Sequence, residues 1–177
     1  LCRDIAQKFN NDYNIENFFI VPEPLIKKEF SRIMSLKDGL KKMSKSEVSD
    51  LSRINLTDDK DLIISKIKKA KTDTLPLPSK IEELEKRPEA KNLIGIYSSL
   101  MNNTLQETVD EFAGKNFSEF KEKLSDLVVN EINPISLKIK ELLDDKVFLE
   151  KILKDGYEKA NEIASKKIKK IHEIVGF

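Results

Sequence analysis

Residues 32–46 read RIMSLKDGLKKMSKS, and this stretch decides what fold and chemistry we expect of the chain. It joins a short apolar run, Ile33–Leu36, to a Lys- and Ser-rich loop. The loop carries Lys42 and Lys45, two ammonium groups three residues apart and interleaved with hydroxyl groups. A flexible cationic loop of this kind suits a polyphosphate, whose charge is spread over several oxygens. By composition alone, however, such a loop is more often solvated surface.

The residues before this stretch predict a helix already under way at the first residue. Leu1, Ile5 and Phe9 recur every four positions and form one helical face. No capping residue precedes Leu1 to accept hydrogen bonds from the first free backbone amides. We therefore expect the chain to be a fragment of a longer protein.

Two short apolar runs predict strands. The run Phe18–Val21 is ended by prolines, which is typical of a buried strand. Ile33–Leu36 predicts a second strand, followed by a turn at Asp38-Gly39. Helix, strand, connector and strand are consistent with the last part of a parallel α/β unit.

The rest of the chain has the periodicity of helices. Thr57 is expected to cap a helix, Pro88 to open one, Thr104 and Glu107 to form a capping box, and Asp145 to cap the last helix. Pro134 is expected to kink its helix. The last helix has one apolar face, made by Leu149, Ile152, Leu153, Ala160, Ile163, Ala164, Ile168 and Ile171. We expect these helices to form a bundle.

The bulk composition restricts the function classes. The 32 basic and 31 acidic side chains of the 177 residues nearly cancel, so a claim of nucleic-acid binding must rest on local clusters. Two such clusters are Lys66, Lys68, Lys69 and Lys71, and Lys166, Lys167, Lys169 and Lys170. The single cysteine, Cys2, cannot form an internal disulfide, which fits a cytoplasmic protein. No apolar run is long enough to span a bilayer.

The literal string Lys42-Met43-Ser44-Lys45-Ser46 is the second signature of class I aminoacyl-tRNA synthetases. With Arg32–Leu36 before it, the stretch resembles the corresponding segment of the tryptophanyl-tRNA synthetase family. Arg87-Pro88-Glu89-Ala90-x-Asn92-Leu93 and the last helix around Gly156 are similar to the bacterial branch of that family. The resemblance runs essentially from end to end.

This resemblance implies a mainly α chain, in which the C-terminal end of a Rossmann-like α/β catalytic domain is followed by an α-helical bundle. Residues 1–47 would be the end of the catalytic domain with the KMSKS loop. Residues 48–177 would be the helical, anticodon-binding domain. The full-length protein would be a homodimeric tryptophan–tRNA ligase with ATP, tryptophan and tRNA-Trp as partners, and Mg²⁺ would be carried by ATP.

The resemblance also implies roles for individual residues. Lys45 and Lys42 would be catalytic, stabilising charge on the phosphates. The ATP-binding set would be Ile33, Lys42, Met43, Ser44, Lys45 and Ser46, with no metal ligand among them. By itself the strand position of Ile33 equally fits a core residue. The first class I signature needs histidines, and the only one here is His172. We therefore expect this chain alone to be catalytically inactive.

The sequence departs from the family pattern beside the signature. Glu47-Val48 follow it where Asp/Asn-Pro is common, so we expect a less rigid loop exit. Two alternatives stay open. Instead of a tryptophanyl-tRNA synthetase, the chain could be part of a tyrosyl-tRNA synthetase, which shares the signature, or a non-catalytic helical RNA-binding module.

Overall fold

The computed structural model describes residues 1–25 and 32–177. This part of the chain is mainly helical and contains one two-stranded sheet. The strands are β1 (Met34–Ser35) and β2 (Asp38–Lys42), and 3-10 turns lie at Asp50–Ser52 and Ile81–Lys86. The helices are α1 (Cys2–Asp12), α2 (Lys60–Lys68), α3 (Pro88–Met101), α4 (Leu105–Phe112), α5 (Phe117–Asp144) and α6 (Lys146–Val175). Two compact units are formed, one by Leu1–Lys27 with Asp145–Phe177 and the other by Lys28–Asp144.

The strands differ from the sequence prediction. β1 and β2 pair antiparallel as a hairpin, with Met34 opposite Lys42. The tight turn lies at Leu36-Lys37, so the predicted turn at Asp38-Gly39 was wrong, and Gly39 is part of β2. No strand is present at Phe18–Val21, so a parallel pair with that segment was also wrong. Most of the connector between the two runs lies outside the described residues.

The segment at Phe18–Val21 is irregular, and Phe19 is bonded to helix α1 instead of a sheet. The side-chain amide of Asn10 donates to the Phe19 carbonyl at 2.8 Å, and the Phe19 N–H donates back to Asn10 at 3.0 Å. The rings of Phe18 and Phe19 lie 5.3 and 5.1 Å from that of Phe9. One asparagine therefore satisfies the backbone groups that a neighbouring strand would otherwise bond.

In the same unit, α6 begins as predicted: the Asp145 carboxylate accepts from the Phe148 N–H at 2.9 Å. Lys167 of α6 lies 3.7 Å from the centre of the Phe18 ring and donates to the Phe18 carbonyl. The apolar face predicted for α6 is present, but no residue of this helix is buried. Neither α6 nor another helix of the described residues is long and apolar enough to cross a membrane.

The second unit contains a hydrophobic core. Apolar side chains of β1–β2, α2, α3, α4 and α5 meet there, and Tyr97, Phe112 and Phe120 are at its centre. The Phe112 ring packs edge-on against both others, at 5.0 and 4.8 Å between ring centres. Edge-to-face aromatic pairs add about 0.5–1.5 kcal/mol to the free energy of burial.

The helix starts of this unit follow the sequence with one exception. Pro88 occupies the first turn of α3, and Thr104 and Glu107 form both hydrogen bonds of a capping box on α4. The cap of α2 is Asp59, whose side chain accepts from the Leu62 N–H at 2.9 Å, so the prediction of Thr57 was wrong by two residues. Helix α5 continues through Pro134.

Two cationic side chains, Arg87 and Lys121, form hydrogen bonds to the segments that connect the helices. Arg87 donates two hydrogen bonds to Asp73, at 2.9 and 2.6 Å, and a third to the Pro76 carbonyl at 2.7 Å. Lys121 of α5 donates to the Lys68 and Ala70 carbonyls at the end of α2, at 3.2 and 2.6 Å. A cation at that position is favoured by the helix dipole. Burial lowers the pKa of Lys121.

Because of the Asp73–Arg87 ion pair, we expect the folded protein to lose stability in acid. Hydrogen bonding from Arg87 lowers the pKa of Asp73. The pair's contribution is therefore complete above the usual carboxyl pKa of about 4 and is lost as the pH falls through the lower, folded-state pKa. We expect Asp73→Asn to cost about 1–2 kcal/mol at pH 7 and to flatten the decline below pH 4.

Urea denaturation of the full-length protein between pH 7 and pH 3 measures both effects. Asp126→Asn, at an exposed position of α5, is the matched control and should behave like the wild type. Equal loss of stability in the two variants would contradict the assigned role of Asp73.

Candidate functional site

The hairpin β1–β2 carries the signature loop, and its turn is fixed in the core. Leu36 is only 2% exposed. Its N–H donates to the Ser52 carbonyl at 2.9 Å, and its carbonyl accepts from the Lys71 N–H at 2.7 Å. A two-stranded hairpin is marginally stable by itself. These bonds therefore make the position of the loop depend on the segments before and after α2.

Asn92 of α3 binds the first strand of the hairpin. Its side-chain carbonyl accepts from the Met34 N–H at 2.9 Å, and its amide donates to the Met34 carbonyl, also at 2.9 Å. Asn92 is buried. The two bonds act as one rung of a sheet, since they satisfy both backbone groups of a strand residue from outside the hairpin.

Gly39 of β2 lies against the start of α3. A Cβ atom at this position would lie 2.6 Å from the Glu89 nitrogen and 2.6 Å from the Pro88 carbonyl carbon. Only glycine allows the strand to approach the helix backbone so closely. The Glu89 carboxylate pairs with Lys71 at 2.8 Å. That hydrogen bond is the main cause that lowers the pKa of Glu89, and the Gly39 amide also contributes.

The structure brings together Ile33 and Met43, two residues of the predicted ATP-binding set. The Met43 N–H donates to the Ile33 carbonyl at 3.0 Å, directly beyond the paired strands. The Met43 side chain is half-buried against the core, whereas Ile33 is 46% exposed. Ile33 is therefore not a core residue, and it is partly accessible next to the loop.

The other four predicted residues are all exposed. Lys42 is the last residue of β2, and Ser44, Lys45 and Ser46 follow it in the loop. The Ser44 and Ser46 hydroxyls lie 2.8 Å apart, and the Ser46 N–H donates to the Ser44 hydroxyl at 3.3 Å. This local turn orders the two hydroxyl groups on either side of Lys45.

The loop is electrostatically suited to an anion. Within residues 1–25 and 32–177, neither Lys42 nor Lys45 has a carboxylate oxygen within 4.0 Å. Their neighbour Lys41 faces Asp38 at 3.8 Å. Two exposed ammonium groups and two hydroxyls are therefore available on this loop for an anion.

Sequence reasoning missed the residues that hold this loop. Asn92 was noted only as part of the family pattern, and Gly39 was predicted to form a turn instead of a close contact with α3. A signal was available for Asn92, because it is a polar residue beside Leu93 and Ile94 on the apolar face of α3. No local signal marks Gly39, because its neighbour across the gap is 49 residues away in the sequence.

The lysine clusters proposed for RNA contact are smaller than the sequence indicated. Lys66 is fully buried between Asp58 and Asp50, each at 2.6 Å, so this member of the first cluster is not available for RNA contact. Lys71 is paired with Glu89. The exposed lysines of the two clusters are Lys68, Lys69, Lys71, Lys166, Lys169 and Lys170, of which Lys71 and Lys166 are paired, Lys166 with Glu162 at 3.0 Å.

Comparison with known families and sequences gives a consistent result. The sequence profile described as "tRNA synthetases class I (W and Y)" matches residues 1–133. A tryptophan–tRNA ligase of Caulobacter vibrioides is 49% identical over all of this chain, which covers 52% of that relative. One from Brucella melitensis is 46% identical, with 100% of this chain and 55% of the relative covered. The chain thus spans about half the length of these curated relatives.

Solved structures show the same likeness. The tryptophanyl-tRNA synthetase of Mycoplasma pneumoniae aligns with a TM-score of 0.80 and 25% identity, over 99% of this chain and 51% of that one. The Campylobacter jejuni enzyme complexed with ADP and tryptophan aligns with a TM-score of 0.65 and 27% identity, over 99% of this chain and 52% of that one.

The two hydrogen bonds between Asn92 and Met34 lead us to expect that Asn92 holds the hairpin in place. Asn92→Ala would leave the Met34 N–H and carbonyl without partners, which costs about 1–3 kcal/mol for a buried polar group. We expect a loss of stability of that size and faster amide hydrogen exchange at Met43 in the full-length protein. Asn130→Ala, at an exposed site on α5, is the control and should change neither. Unaltered exchange at Met43 in Asn92→Ala would show that other contacts suffice.

Proposed function

The chain belongs to the class I tRNA synthetases of the tryptophan and tyrosine type, and we propose that the full-length protein is a tryptophan–tRNA ligase. It activates tryptophan with ATP and transfers it to tRNA-Trp. One observation carries the choice of tryptophan: curated relatives that are 46–49% identical over the whole of this chain are tryptophan–tRNA ligases.

We propose that the signature loop binds the triphosphate of ATP, with Lys42 and Lys45 as its cations. In the activation step a tryptophan carboxylate oxygen forms a bond to the α-phosphorus while the bond to the leaving pyrophosphate breaks. Negative charge then moves onto the pyrophosphate oxygens. Exposed ammonium groups without a carboxylate partner are free to stabilise that charge in the transition state. Mg²⁺ would enter with the phosphates of ATP.

The remaining residues of the predicted site complete the binding of ATP in this proposal. Ser44 and Ser46 offer hydroxyls to phosphate oxygens, and their 2.8 Å contact keeps them on one side of the loop. Ile33 and Met43 receive the adenine, since their backbones are bonded at the loop entry. The Campylobacter jejuni relative was solved with ADP and tryptophan, which supports a nucleotide and tryptophan as ligands here.

We propose the division predicted from the sequence, in which residues 1–47 serve ATP and residues 48–177 serve tRNA. Lys68 and Lys69 at the end of α2, and Lys169 and Lys170 of α6, are the exposed cations that we assign to phosphates of the tRNA. Each phosphate neutralised would make the affinity more dependent on salt. The full-length protein is proposed to act as a cytoplasmic homodimer.

The test is tryptophan-dependent ATP–pyrophosphate exchange by the full-length product of the gene. We expect Lys45→Ala to lower kcat on the order of 100-fold, because removing a preorganised donor to a developing anion has an effect of that size. Lys41→Ala is the matched control, since this neighbouring lysine already faces Asp38. It should change the rate by no more than about twofold.

The outcomes separate the alternatives. Exchange that depends on tyrosine would move the assignment to the tyrosine branch of the same family. No exchange with either amino acid, together with salt-dependent tRNA binding, would favour the non-catalytic RNA-binding module. Equal loss in the Lys41 and Lys45 variants would contradict the role given to Lys45.

A further inference from the structure

A network of charged side chains begins directly behind the signature loop. The Arg53 side chain is 17% exposed, and each of its three guanidinium nitrogens contacts a different residue. It donates to the Glu47 backbone carbonyl at 2.9 Å, to Asn55 at 3.3 Å, and forms an ion pair with Asp50 at 3.0 Å. A planar guanidinium has a fixed arrangement of donors, so these contacts define the position of the carbonyl at Glu47.

The network ends in the core. The other oxygen of Asp50 lies 2.6 Å from the ammonium group of Lys66, which is 0% exposed. Lys66 also lies 2.6 Å from Asp58, which is buried and accepts from the Asn55 N–H at 2.9 Å. Hydrogen bonding from Lys66, followed by that from Asn55, lowers the pKa of Asp50. The two carboxylate oxygens of Asp50 thus bridge Arg53 to Lys66 of α2.

The loop itself has little else to hold its exit. Residues 44–48 are exposed, and the contacts between Ser44, Ser46 and Glu47 are local to the loop. At the entry, Met43 is bonded to Ile33. At the exit, Arg53 makes the one side-chain bond to the Glu47 backbone in the described part of the chain. Lys45 lies between these two attachments.

We propose that Arg53 is a positioning residue for the activation step: through its bond to the Glu47 carbonyl and the Asp50–Lys66 bridge, it fixes the loop exit and hence the ammonium group of Lys45. This inference rests on the proposed function. It accounts for a sequence that lacks a proline after the signature, because Arg53 supplies from outside the loop the rigidity that Glu47-Val48 do not. The buried Lys66 gives the bridge a fixed end in α2.

Kinetics of the full-length protein test the proposal. Arg53→Ala should lower kcat for pyrophosphate exchange by roughly 10–100-fold, the usual effect of a misplaced catalytic group, and leave the KM for tryptophan unchanged. Arg53→Lys should restore part of the rate, because a single ammonium group can bond the Glu47 carbonyl but cannot make all three contacts. Arg3→Ala removes another arginine bound to a backbone carbonyl, that of Pro22, and should have no effect.

A double-variant cycle distinguishes positioning from general damage. If Arg53 acts through Lys45, then Arg53→Ala in a Lys45→Ala background should lower kcat by less than about twofold. Multiplied effects in the double variant would overturn the proposal. So would a loss of rate in Arg53→Ala that comes with an equal rise in the KM for tryptophan or with a lower urea midpoint that Arg53→Lys does not restore.

A second readout does not depend on activity. A lysine-specific endoproteinase should cut the full-length Arg53→Ala protein after Lys45 at least about tenfold faster than the wild type, because loosened loops are cut in proportion to their open population. The cut after Lys80, in an exposed segment away from the loop, provides the internal reference. Equal cleavage after Lys45 in the variant and the wild type would overturn the proposal that Arg53 fixes the loop exit. If the wild type has no exchange activity but Arg53→Ala is still cut faster after Lys45, the proposed function is refuted. The role of Arg53 in fixing the loop exit would then still stand.

Discussion

The structure around the signature loop depends on one constraint: a short hairpin that is only marginally stable by itself is bonded at Met34 and Leu36 to distant parts of its unit. Leu36 is bonded to Ser52 and Lys71, and Met34 is bonded twice to Asn92. Gly39 allows the strand to touch the start of α3. These contacts replace the neighbouring strands that a larger sheet would provide. The position of the loop is therefore set by helices that are distant in the sequence.

Buried charge serves the same purpose behind the loop. Replacing a buried ion pair by apolar residues is often neutral for stability, so Lys66 with Asp58 is weak evidence for stabilisation. Its geometry is more informative. An apolar side chain in α2 could fill the same space but could not bond Asp50, and through Asp50 orient Arg53. We interpret the lysine as a means of orienting neighbouring groups, at a site where leaving it without partners would cost about 3–5 kcal/mol.

The sequence predicted well wherever the determining contacts are local. The capping box of Thr104 and Glu107, the cap at Asp145 and Pro88 in the first turn of α3 were all found, because each depends on residues within one helical turn. The predictions failed where a partner is remote or where two patterns compete. Phe18–Val21 has the composition of a strand, but Asn10 satisfies its backbone and Phe9 packs against its rings. Thr57 and Asp59 are both good caps, and only the structure decides between them.

The same distinction applies to the candidate site. The cations and hydroxyls of the loop are contiguous in sequence, so a literal string identifies them, and the structure adds that Lys42 and Lys45 have no carboxylate beside them in the described residues. Burial cannot be read from a lysine cluster: Lys66 belongs to one in the sequence but is fully buried in the structure. Recognition of a phosphate needs exposed charge, whereas precise placement of that charge needs buried partners. The chain separates these two needs: the cations that would touch the substrate stand free on the loop, and the groups that fix them, Asn92 and Lys66, lie beneath it in the core.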